Sequence, residues 1–275
     1  WGTSSTRWSS LYKSIARATK VIQALDNGSA TGISESKVNQ YKGEAYFMLG
    51  FAYCELTAYY GDCVLNKGMT LDEAYVATRS PKNEVLAYAF ECLDKAAEYL
   101  PNSYKGQQRP TKGAALGFKA RFALFHEDWQ TAVDAAQKCM DLGVYKLHDN
   151  YREMFQATSS PEFMFYFKGD LTLKKGYGFM ENVRDFVIRK IGGHCNQSPS
   201  LELFCSYTCT DGLPIDKSPL YNPKDPFANR DPRLAMTIQP FKTKYSADYA
   251  EYEQSKKDGT FPEKYPDYIT LGYEF

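Results

Sequence analysis

The 275 residues suffice for one large hydrophobic core or two ordinary ones. Lys plus Arg number 33 and Asp plus Glu 33, so formal charge is zero and no basic excess argues for a nucleic-acid partner. No apolar run approaches the roughly 20 residues that a bilayer-spanning helix needs; the outlier is the aromatic load of 22 Tyr, 17 Phe and 3 Trp. Such rings either fill helix interfaces or present an apolar face with a polar tip to a ligand. The chain opens at Trp1 with neither an initiator Met nor a signal peptide, as expected of a trimmed chain, which leaves export open.

Periodicity predicts a first helix from Trp8 to Leu25, with Leu11, Ile15, Ala18, Ile22 and Leu25 on one stripe and Asp26-Asn27-Gly28 as its stop. Ser34 opens a long second helix that runs through GEAYFMLGFAYCELTAYYGDCVL, Gly43 to Leu65. Phe47, Phe51, Cys54 and Ala58 have the spacing of its buried face, and Gly61 is suited to a left-handed closing residue. A third helix is expected from Pro81 to Leu100, with Val85, Tyr88, Ala89, Cys92, Ala96 and Tyr99 as its apolar side. The fourth starts near Thr111, a plausible cap, and the fifth runs from Trp129 to Leu142, ended by Gly143.

The pair from Ala114 to Leu142 fits a tetratricopeptide hairpin: Ala115, Ala120, Ala132 and Ala136 let helices cross closely, and Trp129 after the turn is expected to plug the hairpin end. Beyond Tyr145 the texture changes. Glu162 to Lys168 (EFMFYFK) reads as β-like, and the residues after Lys168 are irregular in pattern and rich in Gly, Pro and Asn. The expected fold class is mainly α, with tetratricopeptide-like helical hairpin repeats over residues 1–150 and an irregular loop-rich region, 151–275, packed on them as one integrated domain.

Little in the chain suggests catalysis. No GxSxG, HExxH or P-loop string occurs, and His126, His148 and His194 fall in separate elements. Seven cysteines, at 54, 63, 92, 139, 195, 205 and 209, are too few and irregular for a disulfide scaffold; Cys54, Cys92 and Cys139 read as small buried hydrophobes. His194 and Cys195 with Cys205 and Cys209 form the one metal-like grouping, for which core cysteines or a single disulfide is the preferred reading. No cofactor or metal is expected. Ligand capture without chemistry needs aromatic faces and polar rims, and two stretches combine them. One is Trp1, Arg7 and Trp8 at the start of the first helix. The other is the Gly-rich loop 169–197 with Tyr177, Phe179, Asn182, Arg184, His194 and Asn196. Trp8, leading the apolar stripe, is expected to be core more than platform.

The Gly43–Leu65 segment resembles the signature helix of the SusD/RagB family, GEAxFLRAxxYxxLxxxYGDVPL. Gly43, Glu44, Ala45, Phe47, Tyr53, Leu56, Tyr60, Gly61, Asp62 and Leu65 match, while Met48, Leu49, Gly50 and Cys63-Val64 depart from it. Further marks come in order: Arg79-Ser80 with Glu84-Val85, Leu93-Asp94 with Ala96, Leu100-Pro101, and Arg109-Pro110-Thr111-Lys112 with Ala114-Ala115. Gly143 and Tyr145, then Asp149 and Tyr151 with Met154-Phe155, continue the series. Pro199-Ser200 with Glu202-Leu203, Asp211-Gly212, Asp225-Pro226 and Asn229-Arg230-Asp231-Pro232-Arg233-Leu234 complete it.

The resemblance implies a surface lipoprotein of a Bacteroidetes outer membrane, attached by a lipid anchor outside this chain. Its implied role is to capture oligosaccharide or polysaccharide ligands, without catalysis, for a SusC-type TonB-dependent transporter. It also implies a longer protein, truncated here at its C-terminus. Two alternatives stay open: peptide capture by the same architecture, and a tetratricopeptide scaffold that binds a partner protein. Asn229 to Arg233 is expected to fix a turn through hydrogen bonds and ion pairing.

Overall fold

The computed structural model of the protein describes residues 2–29, 31–104, 109–155, 157–166, 198–238, 240 and 254. The chain divides into two compact units, Trp1–Leu147 with Pro161–Phe167, and His148–Ser160 with Lys168–Phe275. The described residues are helical and contain no strand, which bears out the mainly α reading.

In the first unit, α1 (Gly2–Asp26), α2 (Glu35–Tyr60), α3 (Leu71–Val76), α4 (Lys82–Tyr99), α5 (Lys112–Phe125) and α6 (Trp129–Met140) come in order. Chain neighbours pack on one another, α1 on α2, α2 on α4, α4 on α5 and α5 on α6, giving the expected stack of hairpins. Ile15, Ala18 and Ile22 bury the inner stripe of α1. The helix starts six residues before Trp8 by its bounds, because Gly2 to Arg7 continue the turn without a breaker.

The α2 helix departs from a one-faced pattern. Ala45, Phe47, Leu49, Ala52, Tyr53, Cys54, Leu56 and Thr57 are all buried, whereas Phe51 and Ala58 are half-buried. A helix flanked by α1, α4 and α5 is wrapped on several sides, so no single stripe describes it. Close approach to α4 requires Gly50, where a Cβ would sit 2.6 Å from Leu93 Cγ and 2.9 Å from the Ala89 carbonyl oxygen. Gly61 closes α2 at φ 67° and ψ −117°, a region only glycine adopts freely, but outside the left-handed helical well expected for it.

Local capping chemistry sets the other ends. Thr70 Oγ1 accepts the Glu73 backbone N–H while the Glu73 carboxylate accepts that of Thr70, a capping box that starts the unforeseen α3. Thr111 caps α5 as expected and Asp128 caps α6. The cysteines expected in the core, Cys54, Cys92 and Cys139, are buried there. At the α5–α6 crossing Ala115, Ala123, Ala132 and Ala135 are buried, while Ala120 and Ala136 stay half-buried.

Two expectations fail. Trp129 is 60% exposed and plugs nothing. As the first residue of α6 its side chain leans back toward the helix end, and Ala132, Ala135 and Cys139 are the buried residues of α6 instead. Residues 161–166 form turns and bends, so the β-like reading of Glu162 to Lys168 is overturned over its described part. The Phe165 ring lies edge-on to Phe47 at 5.2 Å and near Phe118 at 6.3 Å, and this docking onto helices replaces strand pairing.

The second unit contains α7 (Tyr151–Met154), α8 (Leu201–Ser206) and α9 (Pro232–Thr237), each one to two turns long and capped by Asn150, Ser200 or Asp231. Arg230, 5% exposed, ties it together: Nη1 donates to Pro226 O at 2.9 Å, and Nη2 to Phe204 O at 2.8 Å and Tyr207 O at 2.9 Å. Its guanidinium lies 4.9 Å from the Phe204 ring centroid and 5.6 Å from that of Tyr221. Asn229 takes φ 56°, a left-handed position asparagine tolerates, and Asp231 pairs with Arg233. The Asn229–Arg233 motif thus fixes a turn, as expected.

Candidate functional site

Of the sequence-predicted site residues, Arg7 and Trp8 are brought together on α1; Trp1, Tyr177, Phe179, Asn182, Arg184, His194 and Asn196 lie outside the described residues. Arg7 and Trp8 occupy consecutive positions near the start of α1 and therefore serve different neighbours. Trp8 is half-buried, its ring 4.9 Å from Tyr12 and 5.0 Å, edge-on, from Tyr60. The Arg79 guanidinium sits 5.2 Å from its centroid. With these contacts made, Trp8 anchors α1 to the end of α2, partly buried against the core.

Arg7 points outward. Its Nη1 donates to Glu55 Oε2 at 3.1 Å, and its guanidinium lies 4.2 Å over the ring of Tyr59. Glu55 and Tyr59 are one turn apart on α2, so a single arginine can bridge both. Tyr59 is 59% exposed. The result is a surface triad of cation, carboxylate and aromatic face, underlain by Trp8, Tyr12 and Tyr60. Sequence reasoning missed Glu55 and Tyr59. The available signal was Tyr59-Tyr60 directly before Gly61-Asp62: two consecutive helical tyrosines cannot both face the core.

The platform is rigidly seated. Tyr12 Oη donates to Val64 O at 2.8 Å, and burial moves the pKa of that hydroxyl further above its ordinary value. Tyr53 Oη donates to Asn66 O and accepts from Asn66 N, each at 2.9 Å. These pegs fix the connection that leaves α2. Chemically the triad can stack against an apolar ring face and exchange hydrogen bonds with hydroxyls, using the open N–H groups of Arg7 and the oxygens of Glu55. Among the described residues no His, Cys, Asp and Glu grouping suits a metal ion, and no helix is long and apolar enough to cross a membrane. Cys205 and Cys209 are both free thiols.

Comparison with known proteins agrees with this architecture. Residues 2–124 match the SusD-like family model described as "Starch-binding associating with outer membrane". The SusD-like protein P2 of Formosa agariphila is 27% identical over 187 residues, covering 64% of this chain and 36% of that protein. A SusD-like carbohydrate binding protein from Bacteroides fragilis superposes with a TM-score of 0.65 at 27% identity, over 83% of this chain and 45% of its own. A second SusD-like protein of that organism gives a TM-score of 0.67 at 23% identity, over 84% and 48% respectively, and shares the fold. The chain thus spans less than half the length of these relatives. With the α2 signature, the Arg109–Glu44 pairing that links two of the matching motifs, and the Arg230 turn all in place, the chain is similar to SusD-like proteins, with residues 2–124 matching the family model.

Proposed function

We propose that the protein is a non-catalytic, cell-surface glycan-binding lipoprotein that captures oligosaccharides and delivers them to a SusC-type TonB-dependent outer-membrane transporter. The observation that carries the reading is the exposed Tyr59 ring flanked by Arg7 and Glu55. Sugar rings present apolar C–H faces edged by hydroxyls, and an aromatic plane with charged hydrogen-bonding groups beside it complements both. The starch-binding description of the matching family and the carbohydrate binding ascribed to the B. fragilis relative support the same ligand class. A capture protein needs no nucleophile.

The test is calorimetry of the unlipidated protein against soluble polysaccharides and, in parallel, peptides. Saturable glycan binding that falls about tenfold on Arg7→Ala or Tyr59→Ala, with no product formed, supports the reading. Peptide binding alone, or turnover of the glycan, overturns it. Co-purification with a barrel transporter from native membranes tests the delivery step.

A further inference from the structure

The α2 helix carries a second ligand-shaped feature near its other end, about 30 Å along the helix from Tyr59. A cleft of roughly 460 Å³ opens between the first turns of α2 and the end of α4, within the general size range of small-ligand sites. Its two walls differ in character. On the α2 side stand Glu35, Ser36, Asn39 and Gln40, whose spacing puts them on one strip of the helix. On the α4 side stand Tyr99 and Pro101, an aromatic ring and a saturated ring.

One residue of each wall, Gln40 and Tyr99, is held in place by its neighbours. Gln40 Nε2 donates to Glu44 Oε1 at 2.8 Å, and Gln40 Oε1 accepts from Lys37 Nζ at 2.9 Å, so its amide orientation is fixed. Glu44 is held in turn by Arg109 Nη1, which donates to its two carboxylate oxygens at 2.9 and 2.8 Å. Tyr99 stacks nearly parallel on Tyr46, centroids 6.2 Å apart with planes at 9°. By contrast, the Glu35, Ser36 and Asn39 side chains make no hydrogen bond among the described residues. An apolar wall thus faces a row of uncommitted hydroxyl, amide and carboxylate groups.

We infer that this cleft is a second glycan-binding site, taking a neutral oligosaccharide with the C–H face of one sugar on Tyr99 and Pro101 and its hydroxyls on Asn39, Ser36 and Glu35. The lining disfavours an acidic ligand, because its one charged group is the Glu35 carboxylate, and its remaining amide, hydroxyl and ring groups suit a neutral, hydroxyl-rich one. Two sites on one rigid helix let a single polysaccharide engage both, raising its residence time through effective concentration without new contacts.

The inference rests on the glycan-binding reading, and the experiment separates their failures. Maltoheptaose and xyloheptaose are titrated into the wild-type protein, Arg7→Ala, Asn39→Ala, Glu35→Gln and the Arg7→Ala/Asn39→Ala double variant. Two sites per molecule are expected in the wild type, with Arg7→Ala retaining the cleft and Asn39→Ala weakening only the cleft, about tenfold. Circular dichroism checks that the exposed-position variants remain folded. One site per molecule, lost on Arg7→Ala and untouched by Asn39→Ala and Glu35→Gln, overturns the second site and leaves the function standing. No binding of either sugar by the wild type overturns both.

Discussion

Asp62 caps a helix that begins twenty residues after it: its Oδ1 accepts the Lys82 backbone N–H at 2.8 Å, across a sequence separation of 20. Pro81 holds the capping position of α4 and has no side-chain oxygen to offer, so the carboxylate comes from the end of α2. The same corner is closed by Ser80 N donating to Cys63 O at 2.9 Å and by Arg79 Nη1 donating to Asp62 O at 3.3 Å. This gives a physical reason for the Tyr-Gly-Asp sequence: glycine turns the chain and aspartate starts the next long helix.

Asp62→Ala should therefore cost about 1 kcal/mol, a typical capping loss, and lower the melting temperature by about 2–4 °C. Asp62→Asn keeps an acceptor oxygen and should recover most of it. Thermal melts of the two variants read the difference directly.

Gly50 stands where the family more often has alanine, and restoring alanine should harm this protein. A Cβ there meets Leu93 Cγ at 2.6 Å and the Ala89 carbonyl oxygen at 2.9 Å, and a backbone atom cannot swing aside. Overpacking of about 1–3 kcal/mol outweighs the gain in helix propensity of about 1 kcal/mol. At Gly117 the added Cβ would meet only Met164 Sδ, at 2.7 Å, the flexible part of a long side chain. Urea denaturation should show Gly50→Ala destabilised and Gly117→Ala neutral or better.

Arg230 bridges three carbonyls from two segments, a task for which lysine lacks the planar fork. Arg230→Lys and Arg230→Ala should each loosen the second unit by about 3 kcal/mol, since buried acceptors lose charged donors. Hydrogen exchange should rise across 204–231 in both variants, with protection in α1 to α6 unchanged. Protection equal to wild type in that segment would refute the assignment.

His126 gives the fold a pH dependence. Burial, then the nearby Lys82 charge, lowers its pKa below the ordinary histidine value, so protonation is harder in the folded state than in the unfolded one. As pH falls through the normal histidine range the unfolded chain binds the proton first, and stability drops. Denaturation midpoints should decline between pH 7.5 and 5.5, and His126→Gln, which can still reach Thr57 Oγ1, should flatten the decline.

The long helices were legible because each pairs a period with a stop: Asp26-Asn27-Gly28 for α1, Gly61 for α2, Pro101 after α4 and Gly143 after α6. The α3 helix was missed although Thr70 and Glu73 spell its capping box, since none of its residues is buried and no apolar stripe marks it. Trp129 misled for the opposite reason, as spacing assigns a residue to a helix but cannot say whether anything lies beyond the helix end. The same limit applies at the site. Arg7 was legible as a polar neighbour of Trp8, but Glu55 and Tyr59 become its partners through the α1–α2 crossing, which no local pattern encodes. The cleft walls are farther apart still, on residues 35–40 and 99–101.

The connection between α2 and α3 has a consequence for how the protein meets proteases. Tyr12 pegs it at Val64, Tyr53 at Asn66, and the Asn66 side chain in turn accepts the N–H groups of Gly68 and Met69. A protease must peel about ten residues of backbone into its own extended groove before it can cut, and here that would require breaking hydrogen bonds rooted in two helices. Trypsin should thus spare Lys67 in the native protein despite its place in a loop, so resistance to cleavage is built into the same tyrosines that seat the candidate site.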